Sequence, residues 1–371
     1  MKKVCIITAS RSEYGLLRWV IDEVNNDEQL VLQLVVTGTH LSEEYGSTYI
    51  EIEKDGYKID EKVDLSLSSS TLEGIVKSMG NCSIGFAETL NNLKPDVIIV
   101  LGDRYELLPI CSAALVMNIP LAHISGGDVT LGAIDNQIRN AVTMMASFHF
   151  PGVKDSARRI EKMTGSSRNI YIVGEPGLDN FNRLILLERQ ILAENLLLDI
   201  SKKWVLLNYH PETKLHLEEN LTTIKNIIQA LDSLNDIQVI ITGANSDYGG
   251  NQINESLKNI ALKPDSKYKF FMSLGQMRFL SLMKEVKFII GNSSSGIVEA
   301  PFLSKIVINV GERQKGRYIS PNVINTTNDF HSISNAIINA MDLKARKDNY
   351  YGDGHSSVKI KNAIKKILFS D

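Results

Sequence analysis

The sequence predicts an α/β protein with two doubly wound domains facing a cleft. Short runs of apolar, often β-branched residues alternate with stretches in which apolar residues recur at helical spacing. This alternation restarts after the turn at residues 174–177, and the length of 371 residues fits two domains of ordinary size. Nearly continuous apolar strands separated by helices are typical of parallel sheets covered on both faces, so each half is predicted to be Rossmann-like.

Eight apolar runs are predicted to be strands, four in each half. In the first half they are residues 4–8, 31–37, 96–101 and 119–124. In the second half they are residues 204–208, 238–242, 288–290 and 306–310, with helices predicted at 221–234, 277–283 and 297–302.

The predicted domains are residues 1–175, residues 176–355 and a C-terminal helix at residues 356–371. Ile360, Ile364 and Ile367 form one apolar stripe of that helix, and lysines lie off the stripe. We interpret the segment as a docking helix with a solvated basic face rather than a membrane anchor.

Composition excludes several classes of function. The 40 Lys and Arg residues against 43 Asp and Glu give a formal charge of −3, which does not favour a general nucleic-acid binder. No apolar run approaches the length of a spanning helix, and Cys5, Cys82 and Cys111 form no C-x-x-C pair, so we expect free thiols in a cytoplasmic protein. Nucleotide fingerprints for NAD and ATP and metal-binding histidine spacings are absent, so no cofactor and no metal are expected.

Ligands of open α/β sheets bind at the carboxyl ends of the strands, where the first half carries charged residues. Arg11 is a candidate anion clamp or a surface residue at a capped helix start. Asp103 is a candidate general acid or base and Arg104 a candidate anion ligand; the alternative is a helix cap beside an exposed arginine. Asp128 and Asp135 add carboxylates, although Asp135 also suits a helix start.

The second half carries features that suit a phosphate group. The segment 291–296 reads GNSSSG between a predicted strand and a helix, which offers hydroxyls and free N–H groups to an anion. Glu299, one turn into that helix, is a candidate acceptor for ribose hydroxyls, and Arg313 follows the next strand. His210 stands at a strand end before Pro211, where a functional and a structural role are equally consistent with the sequence.

Taken in order, these motifs resemble one enzyme family. The segments SRSEYG, LGDRYE, HISGGD, GAIDNQIRNA, NYHPET, GNSSSG and GERQKGR are similar to those of the UDP-N-acetylglucosamine 2-epimerases, and most closely to the hydrolysing branch of bacterial sialic acid synthesis. The resemblance covers nearly the whole chain. It implies a glycosyltransferase-B architecture in which the C-terminal domain holds most of the UDP.

The resemblance also implies roles for single residues. Asp103 and Asp135 match catalytic carboxylates, and His210 matches a histidine near the diphosphate. The positions that match nucleotide-binding residues are Arg11, Asn245, Ser293, Ser294, Glu299 and Arg313. Many members have a catalytic Glu where this chain has Ser125, and a His where it has Asn140; we expect Asp128 to take over the task of the missing Glu.

The implied reaction converts UDP-N-acetylglucosamine and water to N-acetylmannosamine and UDP. Loss of the C2 proton with departure of UDP gives a glycal, which is then hydrated. The alternatives are the same reaction on UDP-2,4-diacetamido-2,4,6-trideoxyglucose, a glycosyltransferase on the same scaffold, and a sensor that binds without turnover. The expected partner is the UDP-sugar, without nucleic acid or membrane, and the expected state is a homo-oligomer, either a dimer or a tetramer.

Overall fold

The protein divides into two compact units. A computed structural model describes residues 1–66, 71–130, 134–245 and 247–370. Unit 1 consists of Met1–Asp128, Asp135–Asn182 and Tyr350–Asp371. Unit 2 consists of Val129–Ile134 and Arg183–Asn349.

The described residues form two parallel sheets of six strands each. The strands of unit 1 are β1 (Lys2–Thr8), β2 (Leu30–Thr37), β3 (Glu61–Val63), β4 (Val97–Leu101), β5 (Leu121–Ile124) and β6 (Phe148–Phe150). Those of unit 2 are β7 (Lys203–Asn208), β8 (Ile237–Thr242), β9 (Tyr268–Phe271), β10 (Phe288–Gly291), β11 (Ile306–Val310) and β12 (Val323–Thr326).

Helices connect the strands. In the first half they are α1 (Arg11–Asn25), α2 (Tyr49–Lys54), α3 (Leu72–Leu93), α4 (Leu107–Val116), α5 (Asp135–Met145), α6 (Lys154–Thr164) and α7 (Asp179–Arg183). The remaining helices are α8 (Arg189–Leu196), α9 (Leu217–Asp232), α10 (Gly250–Ala261), α11 (Gly275–Glu285), α12 (Ser294–Phe302), α13 (Phe330–Asp342) and α14 (Ser356–Phe369). No helix of the described ranges is both long and apolar enough to cross a bilayer.

Both sheets have the same doubly wound topology. The strand order is β3-β2-β1-β4-β5-β6 in unit 1 and β12-β11-β10-β7-β8-β9 in unit 2. The two predicted Rossmann-like α/β domains are therefore confirmed. In each sheet the order reverses beside the first strand, which is where such sheets place their ligands.

The packing of strand β4 on both faces explains why its sequence is apolar throughout. Val97, Ile99 and Leu101 belong to one core cluster, whereas Ile98 and Val100 belong to another. Successive side chains of a strand point to opposite faces, so a strand covered on both faces needs apolar residues at every position. Helices α1 and α14 contribute to the first cluster, and helices α3 and α4 contribute to the second.

The division of the chain differs from the predicted domain boundaries at 175/176 and 355/356. Unit 1 continues to Asn182 and resumes at Tyr350, so helix α14 is part of it. The carboxylate of Asp179 caps α14, accepting the N–H groups of Ser356 and Ser357 over 2.8 Å each. This cap ties the C-terminal segment to the end of unit 1.

Two lysines of α14 differ from the predicted solvated face, whereas Lys366 is exposed as predicted. Lys365 Nζ lies 2.9 Å from Asp27, and Lys361 lies within 4 Å of both Glu23 and Asp27. These carboxylates sit at the end of helix α1, where the apolar stripe of α14 packs. The basic residues thus support docking onto unit 1 through ion pairs as well as apolar contact.

Candidate active site

Asp103 follows strand β4, and its carboxylate pairs with Arg139 of helix α5. The Nη2 group of Arg139 donates to Asp103 Oδ2, and Nη1 donates to the carbonyl oxygen of Asp128 over 3.1 Å. The side chain of Arg139 is 2% exposed and that of Asp103 is 24% exposed. A buried guanidinium needs a compensating charge, so this ion pair fixes Asp103 at the carboxyl end of its strand.

Asp135 is the first residue of helix α5, four residues before Arg139. Residues four apart lie on the same face of a helix, one turn from each other. The positive end of the helix dipole also favours a carboxylate at this position. The structure therefore brings Asp135 within one helical turn of the cation that binds Asp103.

Arg104 contacts a buried carboxylate that was not among the predicted site residues. Its Nε and Nη2 groups donate to Glu106 over 3.2 and 2.9 Å, and the side chain of Glu106 is completely buried. Nearby, Glu13 accepts the N–H of Ala9 over 2.6 Å, and burial raises the pKa of its carboxyl to about 8. The guanidinium of Arg104 opposes that rise. Arg104 therefore pairs with the buried carboxylate of Glu106, and its binding of a substrate anion stays a prediction.

Arg11 is the first residue of helix α1, where the sequence predicts either an anion clamp or a surface residue at a capped helix start. The hydroxyl of Ser10 accepts the N–H of Glu13 over 3.4 Å, so the helix is capped. The Nη2 group of Arg11 lies 2.7 Å from Oε1 of Glu51. The cap is thus confirmed, whereas anion binding by Arg11 stays a prediction.

The loop after strand β5 holds two polar residues with different partners. Ser125 has a left-handed backbone with φ of 58°, and its hydroxyl donates to Oε2 of Glu175 over 2.7 Å. Asp128 is 5% exposed, and its Oδ1 accepts the hydroxyl proton of Ser156 over 2.5 Å. The carboxylate next to Ser125 is therefore Glu175, and that of Asp128 engages helix α6.

His210 follows strand β7 in unit 2 and is held from two sides. The N–H of Asn245 donates to Nδ1 of His210 over 3.1 Å. The side-chain amide of Asn292 accepts the N–H of His210 over 2.8 Å and donates to its carbonyl oxygen over 2.9 Å. Because a backbone N–H only donates, Nδ1 is the acceptor and a neutral ring carries its proton on Nε2. The neutral ring of His210 can therefore donate a hydrogen bond from Nε2.

Strand β10 leads into helix α12 through a backbone conformation that requires glycine. Gly291 has a φ of 143°, and a Cβ at this position would overlap the carbonyl oxygen of Asn208 on the neighbouring strand. The hydroxyl of Ser293 then caps the helix by accepting the N–H of Ser295 over 3.4 Å. Ser294 is the first residue of the helix, so both predicted phosphate-binding serines lie at its positive end.

The remaining predicted ligands surround the same part of unit 2. Glu299 lies in the buried body of helix α12, and burial raises the pKa of its carboxyl to about 7. Arg313 donates from Nη1 to the carbonyl oxygen of Asn292 over 3.3 Å. Asn245 both supports His210 and donates its side-chain amide to Asp247 over 2.6 Å. Asn292 therefore contacts both residues: its side chain binds the backbone of His210, and its carbonyl oxygen accepts from Arg313.

No group of three or more histidine, cysteine or acidic side chains suited to a metal ion occurs among the residues that the structure describes. All three cysteines are buried and free. Burial raises the pKa of the Cys82 and Cys111 thiols to about 12, which keeps them protonated.

The chain is similar to enzymes of one known family. A profile of the UDP-N-acetylglucosamine 2-epimerase family matches residues 22–365. The chain is 39% identical to a GDP/UDP-N,N'-diacetylbacillosamine 2-epimerase (hydrolyzing) of Campylobacter jejuni, over 88% of this chain and 84% of that one. It is 32% identical to a UDP-N,N'-diacetylbacillosamine 2-epimerase (hydrolyzing) of Legionella pneumophila, over 99% and 96% of the two chains.

The chain belongs to the UDP-N-acetylglucosamine 2-epimerase family. A solved structure of a family member has the same fold as this chain. The structure of UDP-GlcNAc 2-epimerase from Methanocaldococcus jannaschii in complex with UDP-GlcNAc and UDP superposes with a TM-score of 0.84 at 18% identity, covering 99% of this chain and 100% of that one. At this identity the likeness concerns the fold, which is the glycosyltransferase-B-like fold that the family resemblance implies.

Several functional candidates of this 2-epimerase family member were not predicted from the sequence. Arg139 and Asn292 contact the predicted site residues Asp103 and His210, and Glu175 contacts Ser125. Glu175 lies 50 positions from Ser125, and Arg139 lies 36 positions from Asp103. The sequence indicates one of these residues locally, because Arg139 lies four positions after Asp135 on the same helical face. The contacts of Glu175 and Asn292 depend on how the strands pair and cannot be read from local spacing.

Proposed function

We propose that this enzyme is a hydrolysing 2-epimerase that acts on UDP-N,N'-diacetylbacillosamine, which is UDP-2,4-diacetamido-2,4,6-trideoxyglucose. The observation that carries the proposal is the similarity to two proteins named for this reaction, at 39% and 32% identity over most of the chain. UDP-N-acetylglucosamine is the second candidate substrate, because the family profile and a 28% identical protein of Neisseria meningitidis bear its name. The product would be a 2-epimeric diacetamido sugar, a precursor suited to nonulosonic acid synthesis.

In the proposed reaction the carboxylates of unit 1 transfer protons at C2 of the sugar. The C2–H bond is weakly acidic, so a base must be held close to it and partly removed from water. Asp103 is fixed by Arg139, and Asp135 lies one turn from that arginine, which supports roles for both acids. Elimination of UDP gives a glycal, and water then adds at C1 while C2 is protonated from the opposite face.

The residues of unit 2 bind UDP in this proposal. Negative charge develops on UDP as it leaves, and the N-terminus of α12 with Ser293 and Ser294 provides partial positive charge and donors for it. The Nε2–H of His210 and the guanidinium of Arg313 donate to the diphosphate, and Glu299 accepts from the ribose. Arg11, Arg104 and Asn245 complete the proposed set of substrate ligands.

A substrate panel tests the proposal. Purified enzyme is incubated with UDP-N,N'-diacetylbacillosamine or UDP-N-acetylglucosamine in D₂O without an acceptor, and products are identified by NMR. We expect UDP, the free 2-epimeric sugar and deuterium at C2, with a higher kcat/KM for the diacetamido substrate. Transfer only after an acceptor is added would identify a glycosyltransferase, and binding without products would identify a sensor.

A further inference from the structure

His123 is a fully buried histidine of strand β5, and both of its ring nitrogens have partners. Nε2 lies 2.8 Å from the carbonyl oxygen of Gly102, and Nδ1 lies 3.2 Å from Oγ1 of Thr143. A carbonyl oxygen only accepts, so the proton of the neutral ring is on Nε2, and Nδ1 accepts the hydroxyl proton of Thr143. Burial lowers the pKa of His123 to about 4, which keeps the ring neutral near pH 7.

The contact with Gly102 holds the turn that leads to Asp103. Gly102 follows strand β4 and has a left-handed backbone with φ of 85°. Its N–H donates to the carbonyl oxygen of Ile124 over 3.1 Å, and its own carbonyl oxygen accepts from Nε2 of His123. Strand β5 therefore binds both backbone polar groups of the residue immediately before Asp103, which restricts where the Asp103 backbone can lie.

Helix α5 closes this set of contacts around Asp103. Arg139 donates to the carboxylate of Asp103, and Thr143, four residues later, donates to Nδ1 of His123. Residues four apart lie on one face of a helix. The same face of α5 thus holds the carboxylate of Asp103 directly and the peptide before it through His123. We call Gly102, Asp103, His123, Arg139 and Thr143 the His123 network.

The loop after strand β5 leaves room for the imidazole and the hydroxyl. A Cβ at Gly126 would lie 2.9 Å from Nδ1 of His123 and 3.1 Å from Oγ1 of Thr143. Buried polar groups cost stability unless they are hydrogen-bonded, and both nitrogens of this ring are. Because the ring is fully buried with both nitrogens engaged, it has no proton or lone pair to offer a substrate. A role of His123 in the reaction would therefore act through the residues that it holds.

We propose that His123 is a positioning residue that sets the place of the Asp103 carboxylate through the carbonyl group of Gly102, while Thr143 fixes its tautomer; this rests on the function proposed above. In that function Asp103 transfers a proton at C2, and displacing a reacting group by about 1 Å can cost a factor of about 100 in rate. UDP binds mainly to residues of unit 2 in the same proposal. Loss of the network should therefore lower kcat and leave UDP affinity unchanged.

The test compares three variants of the full chain with the wild type. UDP release gives kcat, calorimetry gives UDP affinity, and thermal melting reports the fold. His123→Phe fills the space without either contact, and we expect kcat to fall by about 10- to 100-fold with unchanged UDP affinity. His123→Gln can still donate an N–H to Gly102 and should keep kcat at least about fivefold above that of His123→Phe. Thr143→Val loses only the hydroxyl, so its kcat should fall less than that of His123→Phe.

The matched control is His149→Phe. His149 is buried on strand β6 at the position paired with His123 and lies outside the His123 network. Its replacement removes a buried histidine from the same sheet and should leave kcat within about threefold of the wild type. An equal loss of kcat in His149→Phe and His123→Phe would overturn the proposal, because any buried substitution in these strands would then suffice.

A double-mutant cycle decides whether His123 acts through Asp103. In an Asp103→Asn background the carboxylate is absent, so adding His123→Phe should change the remaining kcat by no more than about threefold. The same loss in both backgrounds would show an effect independent of Asp103 and overturn the proposal. A kcat of His123→Phe within about threefold of the wild type, or a loss confined to UDP affinity, would overturn it as well. If His123→Phe does not fold, Thr143→Val takes its place in the cycle.

NMR of isotope-labelled histidine rings tests the network without an activity assay. The ring signal that is missing from His123→Gln identifies His123, and we expect its proton on Nε2. A proton on Nδ1 would overturn the network. A wild-type enzyme that releases no UDP from either sugar would overturn the proposed function, and the role of His123 with it, even where NMR shows the expected tautomer. The two failures are thus distinguishable.

Discussion

Arg139 donates a hydrogen bond from its buried guanidinium to the carboxylate of Asp103, 36 positions away in the sequence. The pair joins the loop after strand β4 to the first turns of helix α5. It gives Asp103 a structural role in addition to the catalytic one proposed for it, because removing its carboxylate takes an ion pair away from a buried guanidinium.

We therefore expect Asp103→Asn to lower both activity and stability. Loss of the charge opposite Arg139 should reduce the free energy of unfolding by about 2 kcal/mol, and kcat should fall at least about 100-fold. Urea denaturation and UDP-release assays measure the two effects. Asp236→Asn, which removes a carboxylate from an exposed pair with Lys202, is the control and should change neither. Unchanged stability of Asp103→Asn would show that Arg139 finds other compensation.

His210 should bind UDP through Nε2 while Nδ1 only holds the ring. In His210→Asn the side-chain oxygen can still accept the N–H of Asn245, but the Nε2–H donor is lost. UDP affinity measured by calorimetry should fall by about 1 kcal/mol with little change in melting temperature. His210→Phe removes both interactions and should lower melting temperature as well. Equal UDP affinity in wild type and His210→Asn would exclude His210 as a ligand.

Gly291→Ala should disrupt the entry to helix α12. The new Cβ would overlap the carbonyl oxygen of Asn208, and the backbone φ of 143° suits only glycine. We expect a loss of at least about 2 kcal/mol in stability, together with weaker UDP binding. The matched control is Gly80→Ala, because Gly80 lies in helix α3 with open space where the new methyl group would stand. That variant should gain about 0.5–1 kcal/mol. Similar effects of the two substitutions would contradict the steric explanation.

Uridine binding should depend on pH through Glu299. Burial raises the pKa of its carboxyl to about 7, so the carboxylate that accepts from ribose hydroxyls forms as pH rises through that value. Uridine is the appropriate probe since phosphates of UDP titrate in the same range. Affinity should rise by roughly 1 kcal/mol between pH 6 and pH 8, and Glu299→Gln should abolish the rise. A pH-dependent affinity that persists in Glu299→Gln would assign the titration to another group.

The sequence alone determined the central strands of both sheets. The inner strands of the two sheets are largely buried and carry the nearly continuous apolar runs that were predicted; they are β1, β2, β4, β5, β7, β8, β10 and β11. The four strands that were not predicted are β3, β6, β9 and β12, which are the edge strands of the two sheets. Edge strands are short and only partly covered, so their sequences lack the apolar run that predicts a buried strand.

The sequence likewise determined which positions directly follow the central strands, and Asp103, His210 and Ser293 were predicted on that basis. Tertiary structure alone decided their partners. Arg139 meets Asp103, and Glu175 meets Ser125, because parallel pairing aligns the ends of β4, β5 and β6 and the packed connections return distant residues to that edge. Spacing along a chain reports contacts within one helix or strand, whereas contacts between elements depend on register and packing, which no local pattern encodes.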